Sequence, residues 1–575
     1  MKKKFLLVIG CEIFYRVSIL QILSLLSTQK ILNLVFKKKK ISEVRKLSDL
    51  ILVSLTEKLN NIHNLKWNIR SWKYLIGPWL EIFIAIIYDR LEIANSILKD
   101  TNINADEFIK RGKVISLITY NYKDFTSAIS TPNWNEKLLL RLMYILKTKD
   151  FNTETNLENA EKEILTYDTN KLNELQYNIK NFSLKILERI FCIFNNYVFF
   201  IPNLGTKFNF IKTLFFLKQF PFFYSFNFLK NKTVKYGVNK KIRKKLILNY
   251  HYKNLQEEIV VKLILENLPT VYLEGFKKLT ELSKNSFLPS KNELVILSQS
   301  VLRDNVFKFW VADKINNGAK LVFVQHGSSY GYKKCWQNEH YEVGVSDKFL
   351  SWGWKNKEKI YPVGNISLSK KKKFQIRKNN SLLIISGLYN ILKINNCLFD
   401  SENLNLQKKN IQYFFDKLNY NNFEKINIRE HPQSKIKFNI PFSEFFQKEN
   451  IKIHYVSIND NLEQLINKHS LVITTYDSTE FYYMLSRGKP CLQIFQKKYI
   501  KDEYLNFFVD LYECGILHED TTSLVKKVNE LGNNLHEWWF SDEIKKKRNH
   551  FCQKFIKTDI DYKSFYDELK SIKNQ

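Results

Sequence analysis

The sequence predicts an α/β protein built from two Rossmann-like lobes, with a helical elaboration in its N-terminal part. The chain has 575 residues, which is more than one hydrophobic core accommodates. After residue 293, short apolar runs alternate with helical patterns, an order typical of parallel, doubly wound sheets. A Lys- and Ser-rich stretch interrupts this alternation at residues 366–380 and predicts a linker between the lobes.

The predicted strands fall into two series, one on each side of the linker. The first series comprises 294–297 and 321–324, with a helix over 304–317 between them. The second series comprises 382–385, 426–428, 451–454, 471–474 and 491–494. We therefore expect a first lobe over 1–365, with helical insertions over about 40–290 and an α/β part over about 290–365. A second lobe is expected over 381–545, and residues 546–575 are expected to form terminal helices that pack back.

Helical patterns dominate the N-terminal part. Apolar residues recur at three- and four-residue spacing over 47–59 and 79–98, and Gly77–Pro78 predicts a break before the second helix. The segment 190–230 is dense in Phe and predicts an aromatic-rich pair of core helices. Its alternative interpretation is an interfacial surface that touches lipid or a lipid-linked acceptor.

Charge and cysteine content restrict the compartment and the partners. The formal net charge is +33, but the Lys residues are spread along the whole chain without an Arg-rich arm or a zinc finger, so we expect no nucleic-acid partner. A basic protein is drawn to an anionic membrane surface.

The seven Cys show no paired spacing, which favours a reducing compartment. Glu12 and Arg16 interrupt the apolar N-terminus, so residues 1–27 predict a strand and helix and not a signal peptide. The expected location is the cytoplasm, peripheral at the inner membrane face.

The first candidate site motif is Gln325-His326-Gly327, directly after a predicted strand. In open parallel sheets, ligands bind at the carboxyl ends of the strands. His326 is therefore a candidate general base or phosphate ligand. Gln325 and Gly327 are candidate phosphate-binding residues, and Gly327 permits a close backbone approach. The alternative is a histidine that only hydrogen-bonds its own loop.

The second motif contains Arg429 and His431, again at a predicted strand end. The fork of donors in Arg429 suits a phosphate, and His431 is a candidate for stabilising charge on a departing nucleotide phosphate. The alternative is a simple turn with a surface histidine.

The third motif runs from Asp477 to Glu480, where a strand passes into a helix. The backbone N–H groups of a helix start bind anions, and Ser478 and Thr479 add hydroxyl donors. Glu480 is a candidate acceptor for ribose hydroxyls. Alternatively, Asp477 and Glu480 form a capping box that needs no ligand.

A fourth group places Glu339 beside His340, with Asp347 a few residues further on. These acids are candidates for a general base or for binding acceptor hydroxyls, and a solvated acidic loop is the alternative.

Several enzyme classes lack support in the sequence. There is no complete Walker A loop, no dinucleotide-binding glycine fingerprint, no zinc-ligand spacing and no nucleophile elbow, which weakens kinase, dehydrogenase and hydrolase interpretations. An Asp-x-Asp metal motif at a strand end is also missing. We therefore expect neither a bound metal nor a cofactor besides the nucleotide-activated donor itself.

From about residue 48 onward, the sequence resembles a family of transferases encoded in surface-carbohydrate gene clusters. The segments that carry this resemblance are Tyr74 to Leu80, Gln325-His326-Gly327 with Tyr330-Gly331, Ser346-Asp347, Ser351 to Trp354, Arg429 with His431-Pro432, Thr475 to Thr479, Gly515 to His518 and Trp538-Trp539. More distantly, the chain is similar to CDP-glycerol glycerophosphotransferases and to capsule and sialic-type transferases that use CMP-activated sugars. That resemblance implies the glycosyltransferase B architecture without a bound metal. It also implies that His431, Ser478 and Thr479 contact the nucleotide phosphate while His326 lies across the cleft.

These observations predict a transferase that moves a sugar from a nucleotide-activated donor in the second lobe to a surface-polysaccharide or lipid-linked glycan acceptor in the first. His326 is the first candidate base, and Glu339 and Asp347 are the second candidates. Two alternatives stay open: transfer of a polyol phosphate of the CDP-glycerol type, and a basic membrane-associated scaffold without enzymatic activity.

Overall fold

A computed structural model describes most of the chain. The described residues are 38–99, 116–129, 131–151, 197–200, 236–286, 294–298, 304–334, 336–368, 372–375, 379–386, 404–430, 453–560 and 562–574, with 211, 215 and 288. The predictions for 1–27 and for most of 190–230 lie outside these residues.

The first lobe contains a five-stranded parallel sheet whose spatial order follows the chain, β1-β2-β3-β4-β5. Its strands are β1 (Tyr197–Phe200), β2 (Leu294–Leu297), β3 (Lys320–Val324), β4 (Lys348–Ser351) and β5 (Ile360–Pro362). The residues of β2 are all buried, as are four of the five in β3, which is the pattern of strands covered on both faces. The aromatic-rich segment had predicted helix where β1 lies. This prediction is wrong for 197–200, because a run of β-branched and aromatic residues fits a strand and is too short to show a period.

The second lobe contains a six-stranded parallel sheet in the order β11-β10-β9-β6-β7-β8. Its strands are β6 (Ser381–Ile385), β7 (Lys425–Arg429), β8 (Ile453–Tyr455), β9 (Leu471–Thr474), β10 (Cys491–Ile494) and β11 (Leu517–His518). The chain starts at the centre, builds outward through β7 and β8, and then returns to build the other side. This is the doubly wound order, and it creates a switch point between β6 and β9.

Helices surround both sheets. Those of the first lobe are α1 (Lys38–His63), α2 (Ile69–Lys99), α3 (Tyr122–Ala128), α4 (Pro132–Thr148), α5 (Lys240–Lys245), α6 (Leu255–Asn267), α7 (Phe276–Lys284), α8 (Asn305–Asn316) and α9 (Gln337–Val345). Those that follow are α10 (Leu404–Lys417), α11 (Leu462–Lys468), α12 (Thr479–Ser486), α13 (Leu505–Glu513), α14 (Thr521–Leu531), α15 (Leu535–Phe540), α16 (Asp542–Phe555) and α17 (Tyr562–Asn574). The α/β class with parallel sheets and a helical N-terminal region is confirmed.

The predicted break at Gly77–Pro78 is wrong, because α2 continues through it. Pro78 has no backbone N–H, so the carbonyl of Tyr74, four residues earlier, loses its usual helical donor. The Tyr341 hydroxyl on α9 replaces that donor, at 2.6 Å from the Tyr74 oxygen. A tertiary hydrogen bond thus compensates for the missing N–H and keeps the helix intact.

The last helix returns to the first lobe. Phe565, Tyr566 and Leu569 on α17 are buried in the same hydrophobic cluster as Ile296 and Val322 of the first sheet. The carboxylate of Glu568 also pairs with Lys348 at 3.6 Å. The C-terminus therefore covers one face of the first sheet, while α16 packs against helices of the second lobe.

No helix among the described residues is long and apolar enough to cross a lipid bilayer.

Lys308 is an unusual member of the first-lobe core. It is fully buried on α8, its ammonium has no hydrogen-bond partner within the described residues, and it lies 4.9 Å from the ring centre of Tyr122. Burial lowers the pKa of Lys308 from 10.5 to about 7. The charged form is therefore destabilised in the folded state.

We expect Lys308→Met to raise the free energy of unfolding by about 2–4 kcal/mol at pH 7, since one pKa unit corresponds to about 1.4 kcal/mol. The folded-state pKa lies below the unfolded one, so the wild-type chain gains stability as the pH rises from 7 to 10.5. The difference in melting temperature should thus be largest at or below pH 7 and shrink towards pH 10. The exposed Lys277→Met serves as control, with a small effect that does not change with pH. A gain that is equal at pH 7 and pH 10 would contradict this account.

Candidate active site between the lobes

His326 lies just beyond the carboxyl end of β3, and two buried side chains line up behind it. Its Nδ1 is 3.2 Å from the hydroxyl of Tyr330, which donates to Oε2 of Glu342 at 2.9 Å. Tyr330 and Glu342 are fully or almost fully buried, whereas His326 is half-buried. The three residues form a chain of hydrogen bonds that runs from the interior to the edge of the sheet.

The hydrogen-bond chain links the tautomer of His326 to the charge of Glu342. When Glu342 is ionised, it accepts the one hydrogen of the Tyr330 phenol. Nδ1 of His326 is then the donor towards Tyr330, which leaves the lone pair on Nε2. Nε2 has no hydrogen-bond partner among the described residues.

Burial determines the charge states in this chain. It lowers the pKa of His326 to about 4, so the imidazole is neutral at pH 7. Burial raises the pKa of Tyr330, with a further increase from the neighbouring Glu342, so the phenol keeps its proton. Burial also raises the pKa of Glu342, and the hydrogen bond from Tyr330 opposes that rise. A neutral imidazole with an available Nε2 is the form that a general base requires.

The loop that carries His326 is fixed by its backbone and by one amide. Ser329 and Gly331 have φ values of +75° and +86°. A Cβ at Gly331 would lie 2.5 Å from the Trp354 ring, so both the conformation and the space favour glycine. The Gln325 amide donates to the carbonyl of Gly327 at 2.8 Å and accepts from the Trp354 indole at 2.8 Å. Gln325 was predicted to bind phosphate, but in the structure its amide group forms the hydrogen bonds that hold this loop.

The same loop touches the second lobe. The N–H of Ser328 donates to the Thr479 hydroxyl at 3.1 Å, and a Cβ on Gly327 would lie 3.1 Å from that oxygen. The loop after β3 and the start of α12 thus meet directly. His326 lies two residues before this contact.

Polar residues of both lobes meet around Asp477, and we call this set the interlobe clasp. Its members are Ser328, Ser329, Tyr332, Lys333 and Glu339 of the first lobe and Asp477, Thr479 and Lys501 of the second. Oδ2 of Asp477 accepts from the Ser329 hydroxyl at 2.6 Å, and its Oδ1 accepts from the Tyr332 hydroxyl at 2.9 Å. Lys333 adds an ion pair at 3.4 Å. The Asp477 side chain is 7% exposed, so these contacts are shielded from water.

Tyr332 and Lys501 extend the clasp. The Tyr332 ring is buried against Phe508 and Phe555 of the second lobe, with ring centres 4.9 and 5.4 Å apart. Lys501 pairs with Oε1 of Glu339 at 2.9 Å, and Oε2 of Glu339 accepts from the N–H of Gly331 at 2.7 Å. Glu339 was a second candidate base; because both of its oxygens are engaged, we assign it to the clasp.

The switch point of the second sheet is bordered by Ser386 after β6 and Thr475 after β9. The N–H of Thr475 donates to the carbonyl of Ile385 at 3.2 Å, and the N–H of Ser386 donates to that of Arg429 at 3.0 Å. The Arg429 side chain is buried and donates to the carbonyls of Ile458 and Asp460 at 2.9 and 3.3 Å. Its Nε has no partner among the described residues. A buried positive group with an unmet donor at a strand end suits an anionic ligand.

The start of α12 adjoins this edge. Ser478 is the N-cap, and its hydroxyl accepts from the N–H of Phe481 at 3.2 Å. The capping box on Asp477 and Glu480 is therefore wrong, because Asp477 faces the clasp. Glu480 lies in the first turn of α12, near Tyr476, whose pKa is raised mainly by burial and further by the Glu480 charge.

Asp347 does not belong to this site. It precedes β4 and accepts from the N–H of Leu321 at 2.7 Å, at the start of β3. Its carboxylate also pairs with the Arg70 guanidinium, at 2.5 Å. Parallel strands place this position at the opposite edge of the sheet, roughly 16 Å from the end of β3 at about 3.3 Å per residue. We therefore withdraw Asp347 as a candidate base. His431 lies outside the described residues, and its role stays a prediction.

The topology defines a two-lobed α/β protein in which the loop that carries His326 meets the second lobe. The chain belongs to the LIC12162 family of transferases, whose sequence model matches residues 30–567. The resemblance to transferases of carbohydrate gene clusters is thereby confirmed at the level of the family. A search of curated proteins gave no match.

Among solved structures, the chain is similar to MnaA of S. aureus in complex with UDP, with 13% identity, 57% of this chain and 88% of that chain covered, and a TM-score of 0.32. It is also similar to the wall teichoic acid polymerase TagF, with 10% identity, coverage of 70% and 99%, and a TM-score of 0.29. For MurG of Acinetobacter baumannii the values are 13% identity, 52% and 77% coverage, and 0.29. Because these scores are low, the assignment depends on the family match.

Sequence reasoning missed four residues of the site: Tyr330, Glu342, Asp477 as an interlobe ligand, and Lys501. Tyr330 and Glu342 each lie inside a segment that was singled out, but their pairing depends on the fold of a loop with two positive φ values. Lys501 resembles any other Lys in a chain with many, so no local signal marked it.

Proposed function

We propose that this protein transfers a sugar from a nucleotide-activated donor to a surface-polysaccharide or lipid-linked glycan acceptor. The observation that carries the proposal is the neutral His326, backed by Tyr330 and Glu342, whose loop contacts the second lobe beside the switch point. This arrangement offers a base from one lobe and an anion site from the other. Group transfer between two substrates requires both, a base for the acceptor hydroxyl and an anion site for the leaving phosphate.

In the proposed reaction, an acceptor hydroxyl transfers its proton to Nε2 of His326 while its oxygen attacks the anomeric carbon of the donor sugar. The bond from that carbon to the nucleotide phosphate oxygen breaks, and the phosphate leaves with the electron pair. Nδ1 of the resulting imidazolium donates a hydrogen bond to the Tyr330 hydroxyl, and that hydroxyl donates one to Glu342. Arg429 and the N–H groups at the start of α12 receive the charge of the leaving phosphate. His431 and the hydroxyls of Ser478 and Thr479 join this role by the sequence resemblance.

We further propose that this charge stabilisation needs no metal ion, since an Arg side chain and a helix start supply positive potential at the site. A chelator should then leave the transfer rate unchanged. The proposed place of action is the inner face of the cell membrane, where a lipid-linked acceptor is exposed to the cytoplasm.

A thermal-shift screen tests the donor site. The protein is mixed with CMP, CDP, UDP, GDP, their sugar conjugates and CDP-glycerol. A nucleotide present at about 100 times its dissociation constant should add about 2.7 kcal/mol to the free energy of unfolding. A nucleotide sugar supports the proposal, whereas a shift with CDP-glycerol alone would favour polyol-phosphate transfer.

The matched variants for this screen are Arg429→Met and Arg487→Met. Both arginines are 8% exposed in the second lobe and donate to backbone carbonyls. Arg487, however, lies at the far end of α12, where it also pairs with Glu463. The shift should disappear in Arg429→Met and persist in Arg487→Met. No shift with any nucleotide, or equal shifts in both variants, would overturn the proposed site.

A further inference from the structure

One exposed segment of the first lobe carries an unbalanced positive charge. Residues 237–256 contain five Lys, at 240, 241, 244, 245 and 253, together with Arg243, and no Asp or Glu. Arg243 points inward: it pairs with Glu274 at 2.6 Å and donates to the carbonyl of Leu268 at 2.8 Å. These contacts fix α5 to the body of the lobe.

The remaining charges of α5 point outward. Lys241, Lys244 and Lys245 are exposed, and none of them has an ion-pair partner in the described part of the chain. The helix is thus held rigidly by one basic residue while it presents the others to solvent.

Exposed apolar side chains lie beside these lysines. Ile247 is 66% exposed, the highest value for a large hydrophobic residue among those described. The Ser54 hydroxyl lies 3.4 Å from the carbonyl of Asn249, which places this segment next to α1. On that part of α1, Val53 is 57% and Leu50 42% exposed. Water therefore contacts a mixed surface, which we call the basic-apolar face: Lys241, Lys244, Lys245, Ile247, Leu50 and Val53.

We propose that the basic-apolar face docks on the headgroup region of an anionic lipid bilayer. The positive charge complements the lipid phosphates, and the apolar side chains reach the region just below them. A nucleic acid would complement the lysines but would leave Ile247 and Val53 in water. The proposal rests on the proposed action at the membrane, and it gives that action a defined surface on the acceptor-binding lobe.

The acidic residues near this face do not neutralise it. Asp49, next to Leu50 on α1, pairs with Lys73 at 2.6 Å. Glu57 is exposed one turn beyond Val53 and marks the limit of the face. The charge that an approaching membrane meets is thus that of α5.

The test is sedimentation of the full chain with vesicles of phosphatidylcholine alone or mixed with phosphatidylglycerol. Wild-type protein should bind the mixed vesicles only. Charge reversal of Lys241, Lys244 and Lys245 to Glu should weaken binding by at least about a hundredfold, since each lysine near the surface contributes roughly fivefold. Ile247→Ser with Val53→Ser should weaken it by roughly tenfold or more through loss of apolar burial.

The control reverses three exposed lysines far along the chain, Lys417 and Lys526 of the second lobe and Lys546 of α16, which changes the net charge equally. Binding of this control should fall by less than about tenfold. An equal loss in both triple variants would show that the attraction comes from net charge alone. An unchanged affinity in the apolar double variant, or no binding of the wild type to mixed vesicles, would also overturn the proposal.

The same samples separate this proposal from the proposed function. The face variants should retain the nucleotide-induced thermal shift, which also reports that they are folded. Arg429→Met should lose that shift and still bind mixed vesicles. If no nucleotide shifts the melting temperature, the vesicle experiment can still be interpreted. If the vesicles do not bind the protein, the nucleotide screen can still be interpreted.

Discussion

Replacement of His326 by Ala is expected to lower the transfer rate by roughly 10²–10⁴-fold, which is the contribution of a positioned general base. The fold should persist, because within the described residues the side chain makes one hydrogen bond, to Tyr330. The measurement is product formation with the donor that the nucleotide screen identifies. His340→Ala is the matched control, because His340 is also half-buried and also neutral at pH 7. It lies on α9 as Glu342 does, but it lines a separate cavity with Arg45 and Lys73. Its rate should remain within a few-fold of wild type.

The pH dependence distinguishes a buried base from a surface histidine. The base acts in its deprotonated form, so activity is lost as the pH falls through its pKa. Because burial lowers the pKa of His326 to about 4, the rate should stay level from pH 7 to about 5 and decline only near pH 4. An acid limb centred near the ordinary histidine value of about 6.5 would contradict the proposed role. So would a His326→Ala enzyme with full activity.

Replacement of Asp477 by Ala is expected to reduce the free energy of unfolding by about 3–5 kcal/mol, since it leaves a half-buried lysine and a buried tyrosine without their shared acceptor. Tyr332 and Lys333 would lose their partner at the same time as Ser329. Calorimetry is the suitable measurement, because it reports whether the two lobes still unfold together. We expect the wild-type transition to broaden or to split in the variant.

The chain contains a matched control for this prediction. Asp502 pairs with Lys334, the neighbour of Lys333, at 2.8 Å, and thereby also joins the two lobes. Its side chain is 88% exposed, so Asp502→Ala should cost less than about 1 kcal/mol. Equal losses in the two variants would mean that burial of the clasp contributes nothing to lobe association.

The strands of the second sheet could be predicted well from the sequence. Runs such as 382–385 and 471–473 are continuously apolar and bounded by polar residues, because strands covered on both faces must be. Strands β4, β5 and β11 were missed. They have two to four residues, and their apolar content does not stand out in a chain rich in aromatic residues.

The candidate site was predictable only in part. The rule that ligands lie beyond strand ends pointed to His326, Arg429 and the start of α12, and the structure places all three at strand ends. The same rule failed for Asp347, because that residue comes before a strand that was not recognised. The clasp and the Tyr330–Glu342 pair depend on side chains that are far apart in sequence or separated by an unusual turn, which no local pattern encodes.

The hydrogen bond from Tyr341 to the Tyr74 carbonyl has a consequence for how the chain tolerates changes of length. Tyr341, which donates to α2 at the position that Pro78 leaves without a donor, directly precedes Glu342 on α9. Glu342 in turn accepts from Tyr330, the residue that contacts His326. Arg70, at the start of α2, also donates to the carbonyl of Val345 at the end of α9, at 2.7 Å. One residue inserted between Arg70 and Tyr74 would rotate one contact relative to the other by about 100°. The spacing from Arg70 to Tyr74 is thus held to a fixed residue count by the two contacts with α9, the helix that carries Glu342.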